Sequence, residues 1–168
     1  MPEAWLRGPI DGVDAFLQPA AHALVQARED LAVAAEGVST DHLWLRPNGA
    51  ASLGYHLRHV AGSLDRLLTY ARGAQLDARQ QAALGLETGP GNPSEGVRQL
   101  VDQARTAIDA ALAQIRDTRR EELLELRAVG RKALPSTVLG LLFHAAEHTT
   151  RHVGQAITTA RIVAGGTA

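Results

Sequence analysis

The 168-residue sequence contains no cysteine, few aromatic residues and no excess of charge of either sign. The absence of cysteine excludes disulfides, cysteine-based zinc sites and a protein thiol as nucleophile, so thiol chemistry would require a thiol from another molecule. It also fits a reducing cytoplasm, which is the location we expect. The 17 basic and 18 acidic residues give a formal net charge of -1 and form no long block of one sign. We therefore expect neither nucleic acid nor an anionic membrane as the main partner.

Long hydrophobic segments are also missing. The N-terminus, Met1 to Arg7, has no basic start followed by an apolar run, so it predicts no secretory signal. The apolar stretch from Val138 to Phe143 is interrupted by His144 long before it could cross a bilayer. The sequence therefore predicts a soluble, cytoplasmic protein that acts on a small molecule.

The residues that are present are typical of an all-α protein. The sequence is 45% apolar and rich in alanine, leucine and arginine, which are strong helix formers. Its length suits one compact domain, which we assign to residues 1–168. Apolar periodicity, proline and glycine predict four helices, over residues 11–36, 50–71, 92–115 and 135–163. Four helices of this length predict a four-helix bundle.

Local signals refine this plan. Pro19 is expected at a bend in the first helix or at its true start. The glycine-rich segment 73–91 predicts a long loop between helices 2 and 3, with a short helical turn at 78–84, and it is the segment best suited to a mobile lid. The third helix is expected to begin with Asn92 as N-cap, Pro93 as first helical residue and Glu95 as capping-box partner. Leucines in the charged connector 116–132 suit a short extended piece.

Three of the seven histidines, His144, His148 and His152, stand four residues apart. On an α-helix a four-residue step turns by only about 40° and climbs roughly 6 Å, so successive imidazoles project side by side. A helical wheel places His148 and His152 on the apolar stripe that should face the bundle interior. Because a buried imidazole without a partner costs free energy, this pair indicates one of two arrangements. The rings either are satisfied by hydrogen bonds at the core edge or bind one metal ion.

A further ligand can come from the second helix, which contains His56 and His59. His59 lies on a polar stripe beside the apolar face, and such a stripe is either a solvated surface or the wall of a pocket. If it faces the fourth helix, His59, His148 and His152 present three neutral nitrogens to one ion and leave a fourth position open, as in a catalytic zinc site. His56 and His144 are then alternative ligands or hydrogen-bond donors to the ligands.

Two segments carry a resemblance to a known family. They are residues 57–67 around His59 and residues 148–155, which end in Gly154 and Gln155; the irregular segment 44–49 before the second helix matches as well. The chain resembles the DinB-like superfamily, which includes YfiT-like proteins and the transferases and isomerases that use mycothiol or bacillithiol. The resemblance covers nearly the whole chain.

The resemblance implies an up-down-down-up four-helix bundle in which His59, His148 and His152 hold a divalent metal, zinc or nickel. It also implies a metal-dependent transferase or isomerase with a low-molecular-weight thiol as cosubstrate. Thr150 and Arg151 stand where the family often has another histidine, and this difference is expected to affect substrate binding.

Several assignments stay open on the sequence alone. Arg46, Arg66 and Tyr70 are candidates for contact with substrate, against the simpler role of salt-bridged or packing residues. The alternative functions are a non-catalytic metal-binding or stress-related interaction module and a metal-dependent hydrolase. A second apolar strip of the fourth helix contacts either another helix of the bundle or the second copy of the homodimer that we expect; it consists of Leu139, Leu142, Val153 and Ile157.

Overall fold

The computed structural model describes residues 1–90 and 95–165, and these residues contain five α-helices and a two-stranded sheet. No helix among them is both long and apolar enough to cross a membrane. The described part of the chain is therefore mostly helical rather than all-α, and the helix that adds to the four long ones is the short turn that was predicted at 78–84. The elements are α1 (Gln18–Ala34), α2 (Leu53–Ala71), α3 (Ala78–Gly85), α4 (Val97–Asp117), β1 (Leu126–Val129), β2 (Leu134–Thr137) and α5 (Val138–Gly165).

The first two helices begin later than the apolar pattern predicts. Pro19 lies in the first turn of α1, where its missing N–H loses no hydrogen bond, so it marks the true start of the helix. α2 begins behind Ser52, whose hydroxyl oxygen accepts a hydrogen bond from the backbone N–H of Tyr55. Both differences have one cause. Apolar periodicity continues upstream into turns, whereas a helix begins where a capping side chain accepts from an unpaired N–H group or where a proline lacks that group.

The predicted start of the third long helix at Asn92 and Pro93 lies outside the described residues. In the part that is described, α4 begins at Val97 with Gly96 as its N-cap residue, and no side chain caps it. Glu95 instead pairs with a side chain of α2, to which we return below. The helix ends at Asp117, close to the predicted end.

The four long helices enclose one hydrophobic core. α2 packs against α4 and α5, and α1 packs against the same two helices. Within the single chain, Leu142 and Val153 of the second apolar strip on α5 are buried, and Leu139 and Ile157 pack partly buried against the core. The strip therefore contacts other helices of the same chain, while the homodimer stays a prediction.

The connector before α5 forms a β-hairpin, of which the sequence predicted only an extended piece near β1. The strands are antiparallel, with Leu126 opposite Thr137. Pro135 lies in β2, which is possible because both strands of a two-stranded sheet are edge strands. α5 accordingly begins at Val138 rather than at residue 135, because strand pairing occupies the residues that the proline signal assigned to a helix start.

The hairpin region also satisfies the first backbone donors of α5. The N–H groups of Val138 and Leu139 donate to the carbonyls of Glu125 and Leu123, which lie just before β1. The hydroxyl oxygen of Thr137 accepts a hydrogen bond from the N–H of Gly140 at 3.0 Å. Since donors at a helix N-terminus have no partner within the helix, these bonds determine where α5 begins and how its first turn is oriented.

Gly54 of α2 is a position where close packing excludes a side chain. A Cβ atom there would lie 2.7 Å from the ring of Trp44. We expect Gly54→Ala to lower the free energy of unfolding in urea by roughly 1–3 kcal/mol, the usual cost of overpacking. Gly154→Ala is the matched control, because a Cβ in that part of α5 meets no atom within 4 Å and alanine favours a helix by about 1 kcal/mol over glycine. Equal stability of the two variants would contradict this packing.

Candidate metal centre

Histidines of α2 and α5 meet in two rungs between the helices. In the first rung, Nε2 of His59 lies 2.8 Å from Nε2 of His148. In the second, Nδ1 of His56 lies 3.0 Å from Nδ1 of His152. The polar stripe of α2 thus faces α5 and forms the wall of a site, one of the two arrangements that the sequence left open.

His59, His148 and His152 form a group that could hold a metal ion, because one ring nitrogen of each lies within 4.8 Å of the others. Two nitrogens that bind the same zinc at about 2.05 Å and a tetrahedral angle lie roughly 3.3 Å apart. Small side-chain movements would bring this group to such spacing. Imidazole nitrogen is a usual ligand of zinc and of nickel, so the donor set fits the expected ions.

Burial favours the neutral form of His56, His148 and His152. Burial first, and the neighbouring His59 second, lower the pKa of His148 to about 4 and that of His152 to about 3. The pKa of His56 falls to about 4 for the same two reasons. A neutral imidazole has a lone pair to offer a metal, whereas a protonated one has none. The site therefore offers nitrogen lone pairs at neutral pH.

A buried carboxylate that the sequence analysis missed holds His59. Oε2 of Glu87 accepts a hydrogen bond from Nδ1 of His59 at 2.7 Å, and Oε1 accepts one from Nη1 of Arg66 at 2.6 Å. The side chains of Glu87 and Arg66 are only 7% and 10% exposed. Burial alone would raise the pKa of Glu87, but the hydrogen bonds from His59 and Arg66 outweigh it and hold the pKa below its usual value.

Glu87 reaches the site from the segment between α2 and α4, here called the arm, which the sequence analysis assigned to a lid. The predicted helical turn in it is confirmed as α3, which begins with a capping box between Asp77 and Gln80. Gln80 is buried and donates two hydrogen bonds to side chains of α2. Arg58 of α2 donates to three backbone carbonyls of the arm. The arm is thus bonded to α2 on both sides of Glu87.

Tyr55 is a second contact that the sequence analysis missed. Its ring stacks on that of His59, with centroids 5.2 Å and planes 12° apart, and its edge meets the ring of His152. Tyr55 stands four residues before His59, so the helical spacing applied to the histidines would have identified it. Glu87 had no such signal, because it is 28 residues from His59 in a segment without a long periodic pattern.

The three predicted substrate contacts have different surroundings. Arg66 is linked to His59 through Glu87, whose carboxylate matches its charge. Arg46 is exposed and donates to two carbonyls of its own loop. Tyr70 packs in the hydrophobic core, roughly 16 Å along α2 from His59 at about 1.5 Å per residue. Contact of these residues with substrate stays a prediction.

The two histidines predicted as alternative ligands or donors differ in burial. His56 is buried and bonded to Nδ1 of His152, which is the position of a hydrogen-bond partner to a ligand. His144 is exposed, and its Nδ1 lies 2.6 Å from a carboxylate oxygen of Glu147. Its ring centroid is 5.3 Å from that of His148. Both histidines border the group of three without belonging to it.

A groove of about 560 Å³ opens beside the histidines, between the loop before α2 and one face of α5. His56 forms part of its wall, and Arg151 and Gln155 contribute polar groups. A larger groove of about 930 Å³ lies between α2 and α4 and is lined by residues such as Asp65 and Gln114. Both volumes lie within the usual range for ligand sites. The smaller groove is the better candidate for substrate, because His56 of its wall is bonded to His152.

Sequence comparison identifies the family of this chain. The sequence profile of the DinB superfamily matches residues 23–156, a range that contains the histidine rungs, the arm and the groove wall up to Gln155. The chain belongs to the DinB superfamily. Among curated protein sequences, none matches it.

Two solved structures resemble this DinB-superfamily chain. A protein from Streptococcus pneumoniae is 14% identical, with a TM-score of 0.63 and coverage of 89% of this chain and 90% of that one. A DinB-like protein from Bacillus cereus is 16% identical, with a TM-score of 0.63 and coverage of 89% and 91%. At such identities the likeness shows a shared fold, and function has to be argued from the site.

In this DinB-superfamily chain, loss of Arg66 would leave the Glu87 carboxylate buried with His59 as its remaining described partner. We expect Arg66→Met to lower the free energy of unfolding in urea by about 3 kcal/mol, the lower end of the usual effect of breaking a buried ion pair. Arg28→Met is the matched control, because Arg28 and Asp109 form a surface pair that is 35% and 50% exposed; such pairs contribute roughly 0–1 kcal/mol. A loss as small as that of the control would show that the buried pair does not stabilise the fold.

Proposed function

We propose that this chain is a metal-dependent transferase or isomerase that holds zinc or nickel with His59, His148 and His152 and uses a low-molecular-weight thiol. The observation that carries the proposal is the convergence of three imidazole nitrogens within 4.8 Å of one another, next to His56, which lines a groove of small-molecule size. Membership of the DinB superfamily supports it. The absence of cysteine is consistent with it, because the thiol has to come from another molecule.

We also propose that the four long helices form the up-down-down-up bundle that the family resemblance implies. Side-chain pairs between the helices support this topology. Such pairs join the start of one helix to the start of the other when the two are parallel, and the start of one to the end of the other when they are antiparallel. The pairs are Arg58–Glu95 and Arg72–Gln114 for parallel α2 and α4, Arg28–Asp109 and Asp14–Arg120 for antiparallel α1 and α4, and the two histidine rungs for antiparallel α2 and α5.

Bound to three neutral imidazoles, a divalent ion would keep its charge and lower the pKa of a coordinated thiol or water molecule. The residues of the chain orient the ligands and the substrate around that position. His56 orients His152 through their hydrogen bond, and Tyr55 covers one face of His59. Arg151 of the groove wall pairs with Glu147 at 2.8 Å, and its guanidinium carries further N–H donors that can bind an anionic part of the substrate.

Metal content tests the histidine assignment. We expect protein purified without a His-tag or chelator to carry about one divalent ion per chain in mass spectrometric metal analysis, and His59→Ala, His148→Ala and His152→Ala each to lose it. His22→Ala is the matched control, because His22 of α1 bonds to the carbonyl of Gly8 at 2.9 Å. Wild-type protein that takes up neither zinc nor nickel would remove the main support for the proposal.

Thiol binding tests the reaction class. We expect bacillithiol or mycothiol to bind zinc-loaded protein in isothermal titration calorimetry, with affinity reduced roughly tenfold or more after zinc removal or in His148→Ala. Arg151→Gln should weaken binding several-fold because it removes the guanidinium at the groove. Arg161→Gln, an exposed change farther along α5, should have no effect. Zinc-loaded protein that binds neither thiol would favour the non-catalytic metal-binding module.

A further inference from the structure

The hydrogen bond from His59 to Glu87 determines which ring nitrogen of His59 faces the cluster. A carboxylate accepts and does not donate, so in the neutral ring Nδ1 of His59 carries the proton. Nε2 then carries the lone pair, and it is Nε2 that lies 2.8 Å from His148. A lone pair on Nε2 is what a metal ion at the cluster would require.

The carboxylate of Glu87 has a position built for it on α2. Arg66 donates to Oε1, so one oxygen is held by a cation and the other by His59. Gly62 provides the space, because a Cβ at this position would overlap Oε1 of Glu87 and lie 2.8 Å from Nη1 of Arg66. The two donors fix the orientation of the carboxylate, and the missing side chain allows it to approach the backbone of α2.

The three histidines of the cluster are positioned unequally. His59 is bonded to a carboxylate, whereas His152 is bonded to the imidazole of His56. Nδ1 of His148 is buried and has no hydrogen-bond partner among residues 1–90 and 95–165. Hydrogen bonds to charged groups are roughly twice as strong as those between neutral groups. The bond to the arm is therefore the strongest orienting contact in the cluster.

We propose that Glu87 is a positioning residue for metal binding, which holds His59 in the orientation and tautomer that present Nε2 to the ion. The inference rests on the proposed function, because it takes His59 as a ligand. It adds that the arm, and not only the long helices, completes the site. Loss of a carboxylate that orients a ligating histidine weakens metal binding by roughly 10–100-fold.

Zinc affinity of Glu87→Gln, measured by competition with a chromophoric chelator, tests this role. Glutamine keeps the size of the side chain but loses its charge and turns an amide NH₂ towards one of the two donors. We expect the Kd for zinc to rise roughly 10–100-fold. Glu95→Gln is the matched control: Glu95 of the arm pairs with Arg58 of α2, and the two side chains are 15% and 13% exposed, but this pair touches none of the three histidines.

Gly62→Ala provides an independent variant that leaves Glu87 itself in place. The added methyl group overlaps the carboxylate, which is the flexible end of its side chain and can move aside. We expect zinc affinity to fall in the same direction as in Glu87→Gln, while the melting temperature shows that the protein is folded. Zinc affinity equal to wild type in both folded variants would overturn the positioning role.

The tautomer of His59 gives a readout that requires no metal. In isotope-labelled apoprotein, NMR correlation of ring nitrogens with ring protons distinguishes the two neutral tautomers. We expect the Nδ1–H form in wild type and in Glu95→Gln, and loss of this preference in Glu87→Gln. An unchanged tautomer in Glu87→Gln would overturn the inference. Wild-type protein with no zinc affinity would overturn the proposed function instead, while the tautomer would still report whether Glu87 fixes the ring.

Discussion

Burial of polar side chains between α2 and α5 is the constraint on which the rest of this structure depends. Four histidines stand where aliphatic residues normally fill a helix interface, and a buried polar group without a partner costs roughly 1–3 kcal/mol. The chain pairs the rings across the interface, at 2.8 and 3.0 Å, and leaves Nδ1 of His148 without a partner among the described residues. The distance and relative position of the two helices are therefore set by hydrogen bonds as well as by apolar packing.

The arm follows from the arrangement of the helices. The Arg58–Glu95 pair places the starts of α2 and α4 together, so the connection has to return along the length of α2, which is 19 residues or about 28 Å at 1.5 Å per residue. A connection on that path passes the histidines. It is long because of the distance that it covers, and it is bonded to α2 through Gln80 and Glu87 along the way.

Helical period explains which parts of the site could be predicted from the sequence. His148 and His152 are related by one turn of one helix, and the wheel of α2 places His59 on a polar stripe. Their meeting required only that this stripe face α5. Glu87 could not be predicted, because its contact depends on the return path of the arm. β2 was missed for another reason: Pro135 resembles a helix start locally, and pairing with the neighbouring strand β1 makes this segment a strand instead.

The hairpin before α5 has one part that tolerates insertions, its turn, and one part that does not, its junction with α5. The bonds from the N–H groups of Val138 and Leu139 to carbonyls just before the hairpin set the rotation of α5. One residue inserted between Thr137 and Val138 would turn the helix by about 100° relative to the hairpin and carry its histidines away from α2. Residues inserted in the turn 130–133 would lengthen the hairpin and leave that rotation unchanged. An insertion in the turn of the hairpin would thus preserve the metal site, whereas an insertion a few residues later, at the start of α5, would disrupt it.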